Sequence, residues 1–248
     1  MLKWSKVFGL SVVLFCGAAC AQNQSSSIEV STVKPSDPDA KEELFTVRGR
    51  HFVTINTPVS DLIRFAYGLS PKQVEGGPEW LTHEKFDLDA LTTRDGAITD
   101  EQMREMTQEL LEERFHFRSH REKKDLAVYA MTVVKGGPKL TKTKRLPQEN
   151  TDFYGPRGEL IVNNATMLAV ATGLSRGMVD RPVDDQTGLT DRYDFDLKWN
   201  PDDSQAENSS ALPGFFKAFE EQLGLKLTPT KAPMTVLIID DISRPSAN

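Results

Sequence analysis

Apolar and polar positions alternate with a two-residue period from Arg192 to Trp199, where Tyr193, Phe195 and Leu197 interleave with Asp194, Asp196 and Lys198. That period predicts a strand with one buried and one wet face. Lys85 to Ala90 and Ile28 to Val33 alternate in the same way. Elsewhere the spacing lengthens to that of a helix. Val59, Leu62, Ile63, Ala66 and Leu69 fall on one face, with Pro58 suited to the first turn and Gly68 near the end. Met167, Leu168, Ala171 and Leu174 form a similar face closed by Gly177, and further amphipathic helices are predicted over Glu101 to Glu113 and Gly214 to Gln222. Short apolar strands, Phe52 to Ile55 and Leu160 to Val162, precede the first helix of each set. Two strands close each set: Phe115 to His120 with Ala127 to Val134, and Leu223 to Leu227 with Thr235 to Ile242.

The pattern occurs twice. Phe219-Glu220-Glu221 falls 108 positions after Leu111-Glu112-Glu113, and Val236-Leu237-Ile238-Ile239 keeps that offset from Val128-Tyr129-Ala130-Met131. Tyr193-Asp194-Phe195-Asp196 lies over Phe86-Asp87-Leu88-Asp89 at nearly the same spacing, and Leu160 to Asn164 lies over Phe52 to Asn56. Blocks in one order at a constant offset indicate duplication of a unit large enough to bury its own core. The expected fold is therefore α+β: two tandem, similar βαββαβ-like units, each a small mixed sheet with helices packed on one face. The first unit is expected over residues 27–135 and the second over 157–243, joined by a linker at 136–156 and interrupted by a flexible insertion near 200–210.

The N-terminus changes the picture of where this chain works. Lys3 and Lys6 precede an apolar run from Val7 to Cys16, and Ala19-Cys20-Ala21 fits a small-residue cleavage pattern. Residues 1–21 are expected to be a signal peptide cut before Gln22, sending the protein to the periplasm or outside the cell. Gly17-Ala18-Ala19-Cys20 also loosely resembles a lipobox, which leaves a lipid anchor at Cys20 as the competing outcome. The run is too short to span a bilayer, and no later stretch is longer, so no transmembrane helix is expected in the mature chain. A cut before Gln22 removes both cysteines, and with them any disulfide or thiolate chemistry. The chain is 38% hydrophobic and 27% charged, which places it among globular proteins, and its net charge of −6 argues against nucleic acid as a partner.

Candidate chemistry is sparse. His116 and His120 alternate with apolar residues, as on a wet strand face beside Arg118, and the second unit carries Gly224 and Thr228 at the aligned places, so neither histidine is expected to hold a metal. Asp87 and Asp89 recur as Asp194 and Asp196, in the manner of carboxylates that solvate a strand. Asp184, Asp185, Asp191, Asp194 and Asp196 lack the spacing of a calcium loop. Ser175 stands one residue off the nucleophile-elbow spacing, and no P-loop or dinucleotide fingerprint occurs, so no cofactor and no catalytic residue is assigned. Trp80, Arg181, Asp184, Asp185, Asp191 and Trp199 remain as candidates for contact with a ligand, although Trp80 and Trp199 also suit aromatic caps on the two cores. Asn164-Ala165-Thr166 and Asn208-Ser209-Ser210 fit the glycosylation sequon.

Several longer motifs, taken together, resemble a family of secreted soil-bacterial proteins that occur in many copies per genome and have no known activity. They are Glu29 to Pro35, Leu62 to Tyr67, Gly76-Gly77-Pro78-Glu79-Trp80-Leu81, Leu111 to Phe115, Lys135 to Leu140, Arg181 to Leu189 and Tyr193-Asp194-Phe195. Each half is also similar, at fold level only, to the short N-terminal domain of secretins and TonB-dependent receptors. The resemblance implies an exported address and carries over no catalytic residue. The function expected is non-enzymatic binding of a protein or cell-envelope component, through the cleft between units or an exposed strand edge. The alternative is a secreted hydrolase with an acidic site near Asp184–Asp196 in that cleft.

Overall fold

The computed structural model describes residues 27–96, 98–201 and 212–245. The expected signal peptide, Cys20, Asn208 and most of the 200–210 insertion lie outside the described residues. The fold is α+β, with helices packed against three four-stranded sheets.

The first sheet is built from β1 (Ile28–Pro35), β2 (Leu44–Arg48), β3 (His51–Pro58) and β5 (Lys85–Thr92), in the order β1-β5-β3-β2 and antiparallel throughout. Against it pack α1 (Val59–Tyr67), the single-turn α2 (Trp80–His83) and α3 (Asp100–Phe115). Phe52, Leu88 and Ala90 from the sheet meet Leu62, Ile63, Met106, Leu110 and Phe115 from the helices in one buried cluster. Thr99 fixes the start of α3: its hydroxyl accepts from the Gln102 backbone N–H at 3.3 Å, and the Gln102 side chain accepts from the Thr99 N–H at 2.8 Å. This reciprocal cap satisfies two otherwise orphaned donors and is worth about 1 kcal/mol.

The third sheet repeats that plan, with β7 (Thr141–Lys142), β8 (Asp152–Tyr154), β9 (Glu159–Ala165) and β11 (Tyr193–Lys198) in the order β7-β11-β9-β8. Its helices are α4 (Met167–Ser175) and α5 (Phe215–Leu223). The segment expected to link the units is therefore built into the second one. β7 and β8 occupy the places that β1 and β2 hold in the first sheet, but they are too short, at 2 and 3 residues, to show a period in sequence.

The closing strands also depart from expectation. Phe115 ends α3 rather than opening a strand, and His116 caps that helix with φ of 52°. The paired short strands expected after it form one continuous strand, β6 (Arg118–Val133), and the corresponding pair in the second half forms β12 (Leu225–Asp241). β6 and β12 run antiparallel along their full length in the central sheet, flanked by β10 (Val183–Asp185) on β6 and β4 (Val74–Gly76) on β12, both parallel.

Each long strand serves both units. Leu237 and Ile239 of β12 are buried in the first core, while Tyr129 and Met131 of β6 are buried in the second. β4 of the first unit pairs with β12 of the second, and β10 of the second pairs with β6 of the first. The halves thus exchange closing strands, so neither core is complete without its neighbour. Among the described residues no helix is long and apolar enough to cross a membrane.

Candidate functional site between the two units

A cleft of about 1010 Å³ lies between the units. Its volume is of the order that accommodates a small organic molecule. One wall is the start of α3, carrying Asp100 and Arg104; the other is formed by α4, β8 and the turn from Gly155 to Glu159.

The second-unit wall is unusually apolar for an open surface. Leu168 is 68% exposed, Tyr154 is 54% exposed, and Phe153 and Met178 are each more than a third exposed, all lining this one cleft. Large apolar side chains left open at one place mark an interaction site more often than scattered single ones do. The local sequence explains how Phe153 comes to lie there. A Cβ added at Gly173 would stand 2.9 Å from the Phe153 ring, so glycine at that turn of α4 lets the aromatic lie against the helix backbone.

Two arginines complete the site. Arg104 projects from α3 towards the junction of α1 and α4: a Cβ at the α1 cap, Gly68, would lie 3.6 Å from its Nη1 and 3.8 Å from Cγ2 of Thr172. Arg176 follows the last turn of α4, with its guanidinium 5.5 Å from the centroid of the Phe65 ring. Among the described residues, Nε of Arg104 and both Nε and Nη2 of Arg176 are shielded from solvent and have no hydrogen-bond acceptor. Burial holds the Arg176 pKa down to about 10, with repulsion from Arg104 adding to it and attraction from Asp100 opposing it. Burial likewise raises the pKa of Asp100, against the pull of both arginines and with a push from Asp152. Asp100 is thus the nearby counter-charge, yet among the described residues it makes no ion pair within 4.0 Å.

Three of the other charged side chains on the walls are engaged. Glu159 pairs with Lys198 at 3.1 Å, Glu149 accepts from the Leu146 N–H at 2.9 Å, and Arg192 donates to the Asn164 carbonyl at 2.7 Å. Glu101 and Arg157 are exposed at the rim.

Of the six sequence candidates, only Trp199 lines the cleft. Its ring stands edge-on to Phe215 at 5.2 Å and also covers the second core. Trp80 lies in the first unit, edge-on to Phe86 and beneath the Arg244 guanidinium at 5.1 Å, which Glu84 holds in turn. Arg181 is bound to Asp180 and stacks 4.9 Å from the centroid of Tyr129. Asp184 accepts from Gln186 at 2.7 Å, Asp185 closes a turn by accepting from the Thr187 N–H and hydroxyl, and Asp191 pairs with Lys142 at 2.5 Å. These three carboxylates therefore sit on β10 and its following loop, away from the cleft walls. Sequence reasoning passed over Arg104 and Arg176. The one available signal was an arginine closing the almost wholly apolar helix Met167–Ser175.

A second, more open depression gathers Tyr67, His116, Arg118, His120, Asp240 and Asp241. Several of its charges pair with one another: Arg118 meets Asp241 at 2.7 Å, and His120 bridges Asp240 at 2.8 Å and Glu122 at 3.2 Å. Hydrogen bonds to Glu122 and then Asp240 raise the His120 pKa. Among the described residues no three histidine, cysteine, aspartate or glutamate side chains converge as a metal-binding group. Asn164, the sequon asparagine, is fully buried, and its side-chain amide donates to the carbonyls of Leu146 and Glu149, so it presents no site for a glycan.

A family model described as a protein of unknown function (DUF3738) matches residues 60–242. No curated protein and no solved structure matches the chain significantly.

Proposed function

Since the chain belongs to the DUF3738 family, whose description names no activity, we propose from the cleft itself that this is an exported, non-enzymatic binding protein that holds its ligand between the two units. The observation that carries this reading is the set of open apolar side chains, Phe153, Tyr154, Leu168 and Met178, gathered on one wall of a cleft whose other wall belongs to the other unit. A protein gains nothing from leaving such surface wet. Covering the open two thirds of Leu168 alone is worth about 1–2 kcal/mol. The positively charged start and small-residue end of residues 1–21 support export, with cleavage before Gln22 or lipidation at Cys20 as its two routes. The sequence resemblance to secreted soil-bacterial proteins, and the weaker fold-level resemblance of each half to the short N-terminal domain of secretins and TonB-dependent receptors, would suit an envelope role.

The hydrolase reading has less support. Asp184, Asp185 and Asp191 are each engaged in local hydrogen bonds or an ion pair, and none lines the cleft. The test is a thermal-shift screen of small envelope-derived compounds, with Leu168→Glu as the cleft variant and Asp184→Ala, Asp185→Ala and Asp191→Ala as the controls. Leu168→Glu is expected to abolish the stabilisation by any hit, and the aspartate variants to leave it unchanged. Substrate turnover that disappears with the aspartates would reverse the assignment.

A further inference from the structure

We infer that the cleft takes an amphiphilic oxyanion: a carboxylate or phosphate seated at Arg104 and Arg176, joined to an apolar or aromatic body that lies against Phe153, Tyr154, Leu168, Met178 and Trp199. The inference rests on the binding role proposed above and names the chemistry of the ligand.

The polar half follows from the cost of the two cations. A guanidinium removed from water is stable only when its charge and its N–H groups are matched. Here two guanidiniums stand near enough to repel each other, three of their nitrogen atoms are closed to solvent and lack acceptors among the described residues, and the charge of Asp100 offsets them only in part. Glu149 and Glu159, the other acids on the second-unit wall, already have partners. Glu101 is exposed at the rim. Both guanidiniums line the cleft, and among the described residues Asp100 is the carboxylate that pulls on both, so this trio carries a net positive charge that an oxyanion entering the cleft would meet. Arginine suits such a group, because its planar fork meets two oxygens of a carboxylate or phosphate at once.

The apolar half follows from adjacency. Leu168, Phe153, Tyr154 and Met178 line the same cleft as the arginines, so one molecule spanning both would need a charged head and an oily body. A free inorganic anion would leave the apolar wall uncovered, and a neutral hydrocarbon would leave the guanidiniums unmatched. Fusing both chemistries in one ligand meets both deficits.

Trp199 supplies the readout, since it lines the cleft, whereas Trp80 is packed on the first core, and Trp4 and Trp80 are silenced by Trp4→Phe and Trp80→Phe. In that background, tryptophan fluorescence is titrated with decanoate, decyl phosphate, decanol and decyltrimethylammonium at neutral pH, each kept below its micelle concentration. Decanoate and decyl phosphate are expected to shift the Trp199 emission saturably. Decanol should bind at least about tenfold more weakly, and the cation not at all. Arg176→Met and Arg104→Met should each weaken decanoate binding by about tenfold or more and leave decanol binding unchanged. A structural role predicts the opposite pattern for thermal stability: removal of a needed ion would lower Tm, whereas removal of an unmatched one should leave Tm level or higher. Arg176→Lys, which keeps the charge but loses the fork, should fall between.

Equal binding of decanol and decanoate would overturn the oxyanion assignment while leaving a binding cleft in place. Failure of all four probes to shift Trp199 would overturn both. Inorganic phosphate competing fully against decanoate would show that the apolar body contributes nothing and would also refute the inference. Decyl phosphate outcompeting decanoate, or the reverse, distinguishes a phosphate-headed source from an acyl acid.

Discussion

Asn56 and Asn164 both adopt the left-handed backbone region, at φ of 57° and 56°, each at an irregularity in strand pairing before the first helix of its unit. An aspartate on the neighbouring strand holds each in place. The Asn56 N–H donates to Asp87 at 3.0 Å, and the Asn164 N–H donates to Asp194 at 2.8 Å. Asparagine tolerates this conformation better than most residues with a side chain, and its amide here reaches across to loop carbonyls. Of the four recurring aspartates, Asp87 and Asp194 therefore pin a bulge, whereas Asp89 and Asp196 stand exposed on the strand face as their alternation predicts. Asp87 has a folded-state pKa below its ordinary value: partial burial opposes ionisation, but hydrogen bonds from Ser36 and the Asn56 backbone, together with Lys34, outweigh it. A depressed carboxylate pKa contributes stability that is present above about pH 4 and lost as the pH falls through the folded value. Asp87→Asn should accordingly lower stability at pH 7 and flatten the acid side of the stability curve, measured by urea unfolding between about pH 2 and 7. An acid limb as steep as that of the parent protein would refute this role.

At the scale of elements, the decisive junction is the turn from α5 into β12. Gly224 ends the helix at φ of 65°, and a Cβ there would stand 2.4 Å from the Gly137 carbonyl oxygen. The backbone on either side is tied to that same loop, because the Lys139 N–H donates to the Leu223 carbonyl at 2.8 Å and the Val134 N–H to the Gly224 carbonyl at 3.0 Å. Gly224→Ala is thus expected to cost about 2–4 kcal/mol through backbone strain and displacement of the 136–139 turn together. Chemical denaturation would measure it, and a cost below about 0.5 kcal/mol would show that the turn yields freely. The corresponding position at the end of α3, His116, tolerates the left-handed cap with a side chain, which hydrogen-bonds Ser243 at 3.0 Å.

For the molecule as a whole, the exchange of β6 and β12 predicts one cooperative unit. Leu237 and Ile239 belong to the first core, and their burial is worth about 1.5–3 kcal/mol each, a large fraction of the net stability of a small domain. Residues 27–135 expressed alone should therefore lack a sharp unfolding transition, residues 136–243 should behave likewise, and the intact protein should melt once. Calorimetry of the three chains would measure this, with two separate transitions in the intact protein being the contrary result. The same coupling holds the cleft walls in register, since movement of one unit against the other would shear a strand pair continuous from Arg118 to Val133.

The amino-acid sequence by itself determined the duplication, the α+β class, most of the helices and most of the faces they bury, because these follow from local period and from repeated blocks at one offset; Leu168, expected on the buried face of α4, instead stands 68% exposed on the cleft. It carried the pairing of Trp80 and Trp199 with their cores for the same reason: an aromatic beside a turn has few other places to go. Only the tertiary structure decided that the closing strands fuse and cross between units, since two apolar stretches separated by charged residues look alike whether they form two strands or one. The short edge strands β7 and β8 were invisible in sequence because two or three residues carry no period. The cleft was invisible because Arg104 and Arg176, 72 positions apart in sequence, meet only through the packing of two helices from different units. An unmatched charge is a property of a neighbourhood, and no neighbourhood exists until the chain has folded.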